Sequence, residues 1–225
     1  MQQAIVFSRR GGRRAGAGRK PRGARALVSH AARAALSGRE PVLVTMKMRR
    51  EIWNLRARRV VDAVLDRLGL ARDRNGMRIV HFSVQRDHVH LIIEAGEKAA
   101  LSRGVQGLSV RLARALNRMM KRRGKVLADR FHSRVLPTPR QVRHAIAYVL
   151  CNARKHGLAP HRGWLDPCSS ARAFDGWAGA PAIVASAPVA PPRSWLMRVG
   201  WRRGGGPIWI DHDPDPRPDE LERWR

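Results

Sequence analysis

The chain has 225 residues, 44% of them hydrophobic, which is enough to bury a core and argues against a wholly disordered protein. Its 45 Lys and Arg residues against 17 Asp and Glu give a formal net charge of +28, which repels itself unless a polyanion neutralises it. Nucleic acid is therefore the expected partner.

The cysteine and hydropathy patterns narrow the class of protein further. Neither Cys151 nor Cys168 belongs to a CxxC pair, which argues against a zinc finger or a disulfide scaffold. No apolar run approaches the roughly 20 residues of a membrane span. The N-terminus places its apolar residues before its charges, which is the wrong order for a secretory signal. These features predict a cytoplasmic protein with no membrane partner.

Residues 1–40 are predicted to form a flexible basic arm. They carry ten Lys or Arg and one acidic residue, and Gly and Arg at this density do not fill a core. The arm is either a solvated tail or a segment that follows phosphates or a minor groove. Its candidate DNA contacts are Arg13, Arg14, Arg19, Lys20 and Arg22.

From residue 41 the hydrophobic pattern alternates between the periods of strands and helices. The predicted elements are, in chain order, a strand at 41–48, a helix at 51–70, a turn at 71–76, two paired strands at 77–85 and 88–95, a helix at 101–123, a strand at 126–136 and a capped helix that ends before Gly157. If the turn is left out, the first six strands and helices follow the split β-α-β, or ferredoxin-like, arrangement. This is an α+β fold with a four-stranded antiparallel sheet and two helices on one face. The last helix is an addition, and the predicted domain covers residues 41–160.

The predicted helix at 101–123 carries a row of arginines beside its apolar stripe. Such a row is usually a solvated face, but four arginines without an interleaved acid favour a surface that faces phosphates. The row consists of Arg111, Arg114, Arg118 and Arg122.

Residues 161–225 are predicted to be a Trp-rich accessory segment that wraps or caps the core. Six of the seven tryptophans lie here, with a linker at 179–192 and an acidic tail at 211–222. The tryptophans either pack against the core or offer faces on which bases stack.

The stretch His88-Val89-His90 is the first motif that carries chemistry. Residues two apart on a strand point to the same side, so the two imidazoles project together while Val89 faces the core. Two imidazoles on one face form an incipient metal site. The alternative is a pair of exposed histidines beside a basic surface.

The second motif is the helix with Tyr148, the only tyrosine in the chain. Thr138 is its predicted N-cap, and Pro139 its first residue. The helical period places Tyr148 about 100° from the centre of the buried stripe, with Asn152 one turn on and Lys155 on the same flank. Tyr148 is thus either a rim tyrosine or the reactive group.

These side chains suit phosphodiester chemistry. A phenol is a poor nucleophile near neutral pH, and attack on phosphorus needs a cation that polarises the phosphoryl oxygen. His88, His90 and the amide oxygen of Asn152 would supply three ligands and leave positions open for phosphate. An amide oxygen and open positions suit Mg²⁺ or Mn²⁺, and Lys155 would steady the substrate.

The joint pattern resembles the HUH single-tyrosine transposases, in particular the REP-associated, insertion-sequence-200-like group. The resemblance covers about residues 41–160, from HVH through ADRFHSRVL and TPRQVRHAIAYVLCNARKHG. It implies a ferredoxin-like fold with Mg²⁺ or Mn²⁺ bound by His88, His90 and Asn152. It also implies that Tyr148 cuts single-stranded DNA beside a hairpin, which leaves a covalent 5′-phosphotyrosine and a free 3′-hydroxyl. The family's frequent Asn-Pro pair is Asn152-Ala153 here, which keeps the ligand.

Two other functions are compatible with the sequence. One is a catalytically idle descendant that binds repeat DNA hairpins. The other is an RNA-binding protein of the same fold, which needs aromatic residues on the central strands, where Phe82 and Phe131 are available. A homodimer that shares the Tyr148 helix is also possible.

Overall fold

The computed structural model describes residues 36–179 and 186–212. Its strands are β1 (Val42–Lys47), β2 (Asp73–Arg74), β3 (Met77–Val84), β4 (His88–Ala95), β5 (His132–Val135), β6 (Trp177–Ala178) and β7 (Ile208–Trp209). Its helices are α1 (Arg58–Ala71), α2 (Lys98–Met119), α3 (Pro139–Lys155) and α4 (Trp195–Arg198), with 3-10 turns at Ser170–Ala173 and Gly200–Gly204. Most of the predicted basic arm and acidic tail, and the middle of the predicted linker, lie outside the described residues.

Strands β1 to β5 form one antiparallel sheet in the order β2-β3-β4-β1-β5. Without the two-residue β2, this is the strand order of a ferredoxin-like sheet, so the predicted α+β fold is confirmed. The prediction of four strands missed β2, because residues 71–76 were assigned to a turn. Asn75 and Gly76 have φ values of 57° and 72°, the conformation of a two-residue hairpin turn, and this pairs β2 with β3.

The two faces of the sheet pack against different layers. Alternate residues of β1, such as Val44 and Met46, form one buried core with α1 and α2. The intervening Leu43 belongs to a second core, with α3 and C-terminal residues such as Phe174 and Trp201. The first two long helices therefore share one face of the sheet, as predicted, and α3 covers the other.

Two predicted helix boundaries were wrong. The helix predicted at 51–70 begins only at Arg58, because the Asn54 side chain accepts a hydrogen bond from the backbone N–H of Arg56 at 3.0 Å and favours a turn there. The helix predicted at 101–123 runs from Lys98 to Met119. Lys121 then adopts a φ of 49°, so Arg122 lies beyond the helix.

The strand predicted at 126–136 is shorter in the structure. Leu127 forms an isolated bridge with Met48, and His132 pairs with Thr45. Between these pairs, residues 128–131 face only residues 46 and 47 of β1. Four residues opposite two cannot keep the hydrogen bonds of a regular ladder, so β5 consists only of His132–Val135.

Polar contacts hold the described C-terminal residues to the core. Arg56 donates two hydrogen bonds to the carboxylate of Asp166, at 2.9 and 2.8 Å. The carboxylate of Glu94 on β4 accepts the backbone N–H groups of Arg193 and Ser194, both at 2.8 Å. These residues thus form part of the cover over the second face of the sheet. None of the helices within residues 36–179 and 186–212 is both long and apolar enough for a membrane span.

Candidate active site

Strand β4 places two imidazoles on the face of the sheet that α3 covers. The rings of His88 and His90 have centroids 4.6 Å apart. Val89 and Leu91 are fully buried against α1 and α2 on the opposite face. The two-residue period of the strand therefore separates the polar and apolar side chains of this motif as predicted.

Both imidazoles are oriented through Nδ1. The Nδ1 atom of His88 lies 2.7 Å from a carboxylate oxygen of Asp87, and that of His90 lies 2.9 Å from the hydroxyl oxygen of Thr45. With Nδ1 engaged, Nε2 is the nitrogen of each ring that remains for a cation. Burial, and next the charge of His88, lowers the pKa of His90 well below its usual value, which keeps this ring neutral.

Helix α3 brings Tyr148 to these imidazoles. Its first turn is fixed by Thr138, whose hydroxyl accepts a hydrogen bond from the backbone N–H of Gln141 at 3.3 Å. Ten residues after Thr138, the phenol oxygen of Tyr148 lies 3.3 Å from Nε2 of His90, with ring centroids 5.1 Å apart. Lys155 places its ammonium 5.5 Å from the centre of the phenol ring. Tyr148 is half-buried between helix and sheet rather than on an outer rim.

Asn152 is fully buried, and neither polar atom of its amide has a hydrogen-bond partner. An unpartnered amide in a protein interior is costly, so its retention beside two imidazoles calls for a ligand. Burial raises the pKa of Tyr148, and the nearby Asn152 amide lowers it by less, although no hydrogen bond of normal geometry joins the two side chains. The orphaned amide oxygen and the two Nε2 atoms fit a metal ion, which is the observation on which the predicted ligand set depends.

Sequence reasoning missed several residues of this site. His156 follows α3 and places its ring 6.3 Å from that of His88. The spacing of Tyr148, Asn152 and His156 every four residues was the available signal, since it puts all three in one row. Thr45 and Asp87 gave no comparable signal, because their roles depend on strand pairing. Among the residues that the structure describes, no three His, Cys, Asp or Glu side chains could hold an ion by themselves, so a metal site here would need the amide of Asn152 as well.

The arginine row of α2 lies elsewhere. Helix α2 packs against the face of the sheet opposite to the imidazoles, with Arg114 and Arg118 exposed and Arg111 partly covered. Arg122, beyond the helix end, donates to the backbone oxygen of Lys125 at 3.3 Å. The structure thus brings together Tyr148, His88, His90, Asn152 and Lys155, and it does not bring the arginine row to them. The arm residues from Arg13 to Arg22 lie outside the described residues.

Part of the chain is similar to a family of known proteins. The family model of IS200-like transposases matches residues 40–135, which include His88 and His90 and end before α3. No curated protein matches the chain.

Two solved structures resemble the protein. One is a REP-associated tyrosine transposase bound to a REP hairpin, with 18% sequence identity, a TM-score of 0.52, and coverage of 74% of this chain and 100% of that chain. The other, described as a transposase from Deinococcus radiodurans R1, has 17% identity and a TM-score of 0.36, over 48% and 85% of the two chains. Residues 40–135 are therefore similar to the IS200-like transposases, and the chain shares its fold with a REP-associated tyrosine transposase.

Proposed function

We propose that this protein is a metal-dependent endonuclease and strand transferase for single-stranded DNA, which acts near hairpin or repeat DNA through a covalent bond to Tyr148. The observation that carries the proposal is the phenol oxygen 3.3 Å from Nε2 of His90, beside the unpartnered amide of Asn152. The family match supports the reaction class, and the hairpin in the related structure supports the choice of DNA.

His88, His90 and Asn152 would hold Mg²⁺ or Mn²⁺ through two Nε2 atoms and one amide oxygen. When bound, the ion would polarise the phosphoryl oxygen and stabilise the charge that develops on it. The Nε2 lone pair of His90 cannot serve both a cation and the phenol. Tyr148 would therefore give up its present hydrogen bond in the loaded enzyme, and its oxygen would be available to the substrate.

The covalent step exchanges one phosphate ester for another. The phenol oxygen of Tyr148 forms a bond to phosphorus, and the bond from phosphorus to the 3′ oxygen of the preceding nucleotide breaks. The phenol loses its proton, the departing oxygen gains one, and the DNA on the 5′-phosphate side stays on Tyr148. Attack by the 3′-hydroxyl of another strand on this phosphotyrosine would complete strand transfer without another energy source.

Burial keeps the phenol of Tyr148 unreactive until the cation and DNA are bound. The raised pKa keeps the phenol protonated at neutral pH, so it is a weak nucleophile. The ammonium of Lys155, 5.5 Å from the phenol ring, favours the phenolate and attracts the phosphate. Activity is therefore expected to require both the cation and bound DNA.

The test is incubation of the protein with Mn²⁺ and a labelled single-stranded oligonucleotide that contains a hairpin. We expect a covalent adduct with the 5′-phosphate of the fragment that lies on the 3′ side of the cut, and a modified peptide that spans Tyr148. Tyr148→Phe should still fold and bind the DNA, because loss of a half-buried hydroxyl costs little stability. It should form no adduct, because the attacking oxygen is missing. His88→Ala and His90→Ala should also bind and not cut. Cleavage at the same position by Tyr148→Phe would exclude the covalent mechanism.

Binding without any cleavage by the unmodified protein would instead favour the catalytically idle hairpin-binding descendant. An RNA-binding function loses one of its two candidate aromatic residues, because Phe82 is buried between the sheet and the first two helices. A base cannot stack on a side chain in that position.

A further inference from the structure

A cleft of about 680 Å³ lies at the N-terminal end of α3. One wall is the first turns of α3, and the other is formed by residues 203–205. Its basic lining side chains are Arg140, Arg143, His144 and Arg203, and the lining includes no acidic residue. We call this feature the α3 cleft.

Close backbone packing builds the α3 cleft. A Cβ atom at Gly204 would lie 2.6 Å from the backbone nitrogen of Arg140, so only glycine lets the two segments approach this closely. The guanidinium of Arg143 donates hydrogen bonds to the backbone oxygens of Gly206 and Pro207, both at 2.8 Å. Arg143 therefore fixes the wall, and its charge stays beside the opening.

Two other arginines and one indole are available to a ligand. Arg140 and Arg203 are exposed, and neither forms an ion pair with a carboxylate among the described residues. The ring of Trp195 is 51% exposed, and the guanidinium of Arg203 lies 5.6 Å from its centre. A Cβ atom at Gly200 would lie 2.6 Å from this ring, so the indole rests directly on the backbone. The indole is thus held in place next to the guanidinium of Arg203.

The α3 cleft is adjacent to the candidate active site. His144 lines it and precedes Tyr148 by four residues, so the two side chains lie on the same side of the helix. Four residues rise about 6 Å along a helix. A nucleic-acid strand whose phosphate lies at Tyr148 therefore reaches the α3 cleft with its next few nucleotides.

We propose that the α3 cleft binds the single-stranded DNA that flanks the phosphate attacked by Tyr148, an inference that rests on the proposed function. Arg140 and Arg203 contact phosphates, and Trp195 stacks on an unpaired base. Single-strand-binding surfaces combine these two features, a basic groove for the backbone and an aromatic face for bases. A duplex has no unpaired base that could stack on Trp195, and an acidic peptide has no bases. Single-stranded DNA is therefore the ligand that fits both features.

The experiment measures binding by fluorescence anisotropy in the full chain with Tyr148→Phe, which prevents cleavage. One probe is a hairpin with a single-stranded tail of about twelve nucleotides, within the usual range of site sizes; the other is the same hairpin without a tail. Arg140→Ala with Arg203→Ala should weaken binding of the tailed probe about tenfold. The slope of log K against log salt should flatten by about 1.4, since each phosphate that a cation neutralises on a single strand contributes about 0.7. The hairpin without a tail should bind as before.

Trp195→Ala should weaken binding of the tailed probe by a factor of about 5 to 150, the range for one stacked base, and leave the salt slope unchanged. Arg72→Ala with Arg74→Ala removes the same charge from exposed residues at the β2 edge of the sheet, and it should have less than a twofold effect. Equal reductions in affinity with both probes, or an equal reduction in the control, would show that only general charge matters and would overturn the proposal.

The outcomes also separate this inference from the proposed function. If the unmodified protein forms the adduct but its binding does not depend on the tail, only the proposed role of the α3 cleft is overturned. Tail-dependent binding that these variants abolish, without any adduct, would support the α3 cleft and contradict the covalent mechanism.

Discussion

At the scale of single residues, His81 is, like His90, a buried histidine whose protonation the fold opposes. Its side chain is enclosed on the second face of the sheet, where Nδ1 lies 3.3 Å from the hydroxyl of Ser170 and the ring meets the edge of Phe174. Burial lowers the pKa of His81 from 6.5 to about 4. The folded state therefore binds a proton less readily than the unfolded state between these two values. Stability from this group is complete above pH 6.5 and is lost as the pH falls towards 4.

Replacement of His81 by Gln should remove this pH dependence. Between pH 7 and pH 4.5, the free energy of unfolding of the unmodified protein should fall by about 2 to 3 kcal/mol more than that of His81→Gln. Urea unfolding at the two pH values measures the difference, and other titrating groups cancel in the comparison. Parallel decreases in the two proteins would mean that His81 is protonated in the folded state.

The residues of the candidate site show what a sequence predicts and what it leaves out. The spacing of His88 and His90, and that of Tyr148 and Asn152, predicts which side chains share a face of their own element. It does not predict that the two faces meet, because that depends on which side of the sheet α3 covers. Thr45 became a partner of His90 only through the register of β1 with β4, in which the two residues are paired.

At the scale of elements, the ion pair between Arg56 and Asp166 holds the C-terminal residues against the loop before α1. The side chains are 13% and 2% exposed, and two hydrogen bonds join them. Asp166 also accepts a hydrogen bond from the backbone N–H of Cys168 at 2.9 Å. Removal of one partner from such a pair leaves a charge without compensation in a nearly dry environment.

Asp166→Ala should therefore lower the free energy of unfolding by about 3 to 5 kcal/mol. The matched control is Arg162→Ala, which breaks an ion pair between Asp211 and a side chain that is 92% exposed, and it should cost at most about 1 kcal/mol. Chemical denaturation followed by tryptophan fluorescence measures both. A decrease for Asp166→Ala no larger than that of the control would show that the C-terminal residues contribute little to the stability of the core.

The elements themselves were predictable to different degrees. The strands β3 and β4 were predicted almost to the residue, because a buried pair with a two-residue turn has an unambiguous pattern. The start of α1 was not, since Ile52 and Leu55 continue the helical spacing into a turn. Both side chains still pack against the core there, so burial alone could not distinguish the turn from a helix.

At the scale of the whole molecule, positive charge surrounds the core rather than forming one surface. The arginine row of α2 lies on one face of the sheet, and the α3 cleft lies on the other. Hairpin DNA that contacts both would have to pass around an edge of the sheet. The predicted contacts of Arg111, Arg114 and Arg118 are therefore more compatible with distant duplex than with the strand that Tyr148 would attack in the proposed reaction.

Residues 1–40 contribute ten of the 45 Lys and Arg residues and one of the 17 acidic residues, so the arm adds to affinity wherever it meets phosphates. Deletion of the arm should weaken DNA binding and flatten the slope of log K against log salt, by about 0.7 for each single-strand phosphate that the arm neutralises. A full-length chain with Arg13, Arg14, Arg19, Lys20 and Arg22 changed to Ser should behave similarly, because charge rather than length carries the effect. An unchanged salt slope in both proteins would show that the arm does not contact the phosphates. The DNA-binding charge would then lie after residue 40, where the α3 cleft and the α2 row can be compared directly.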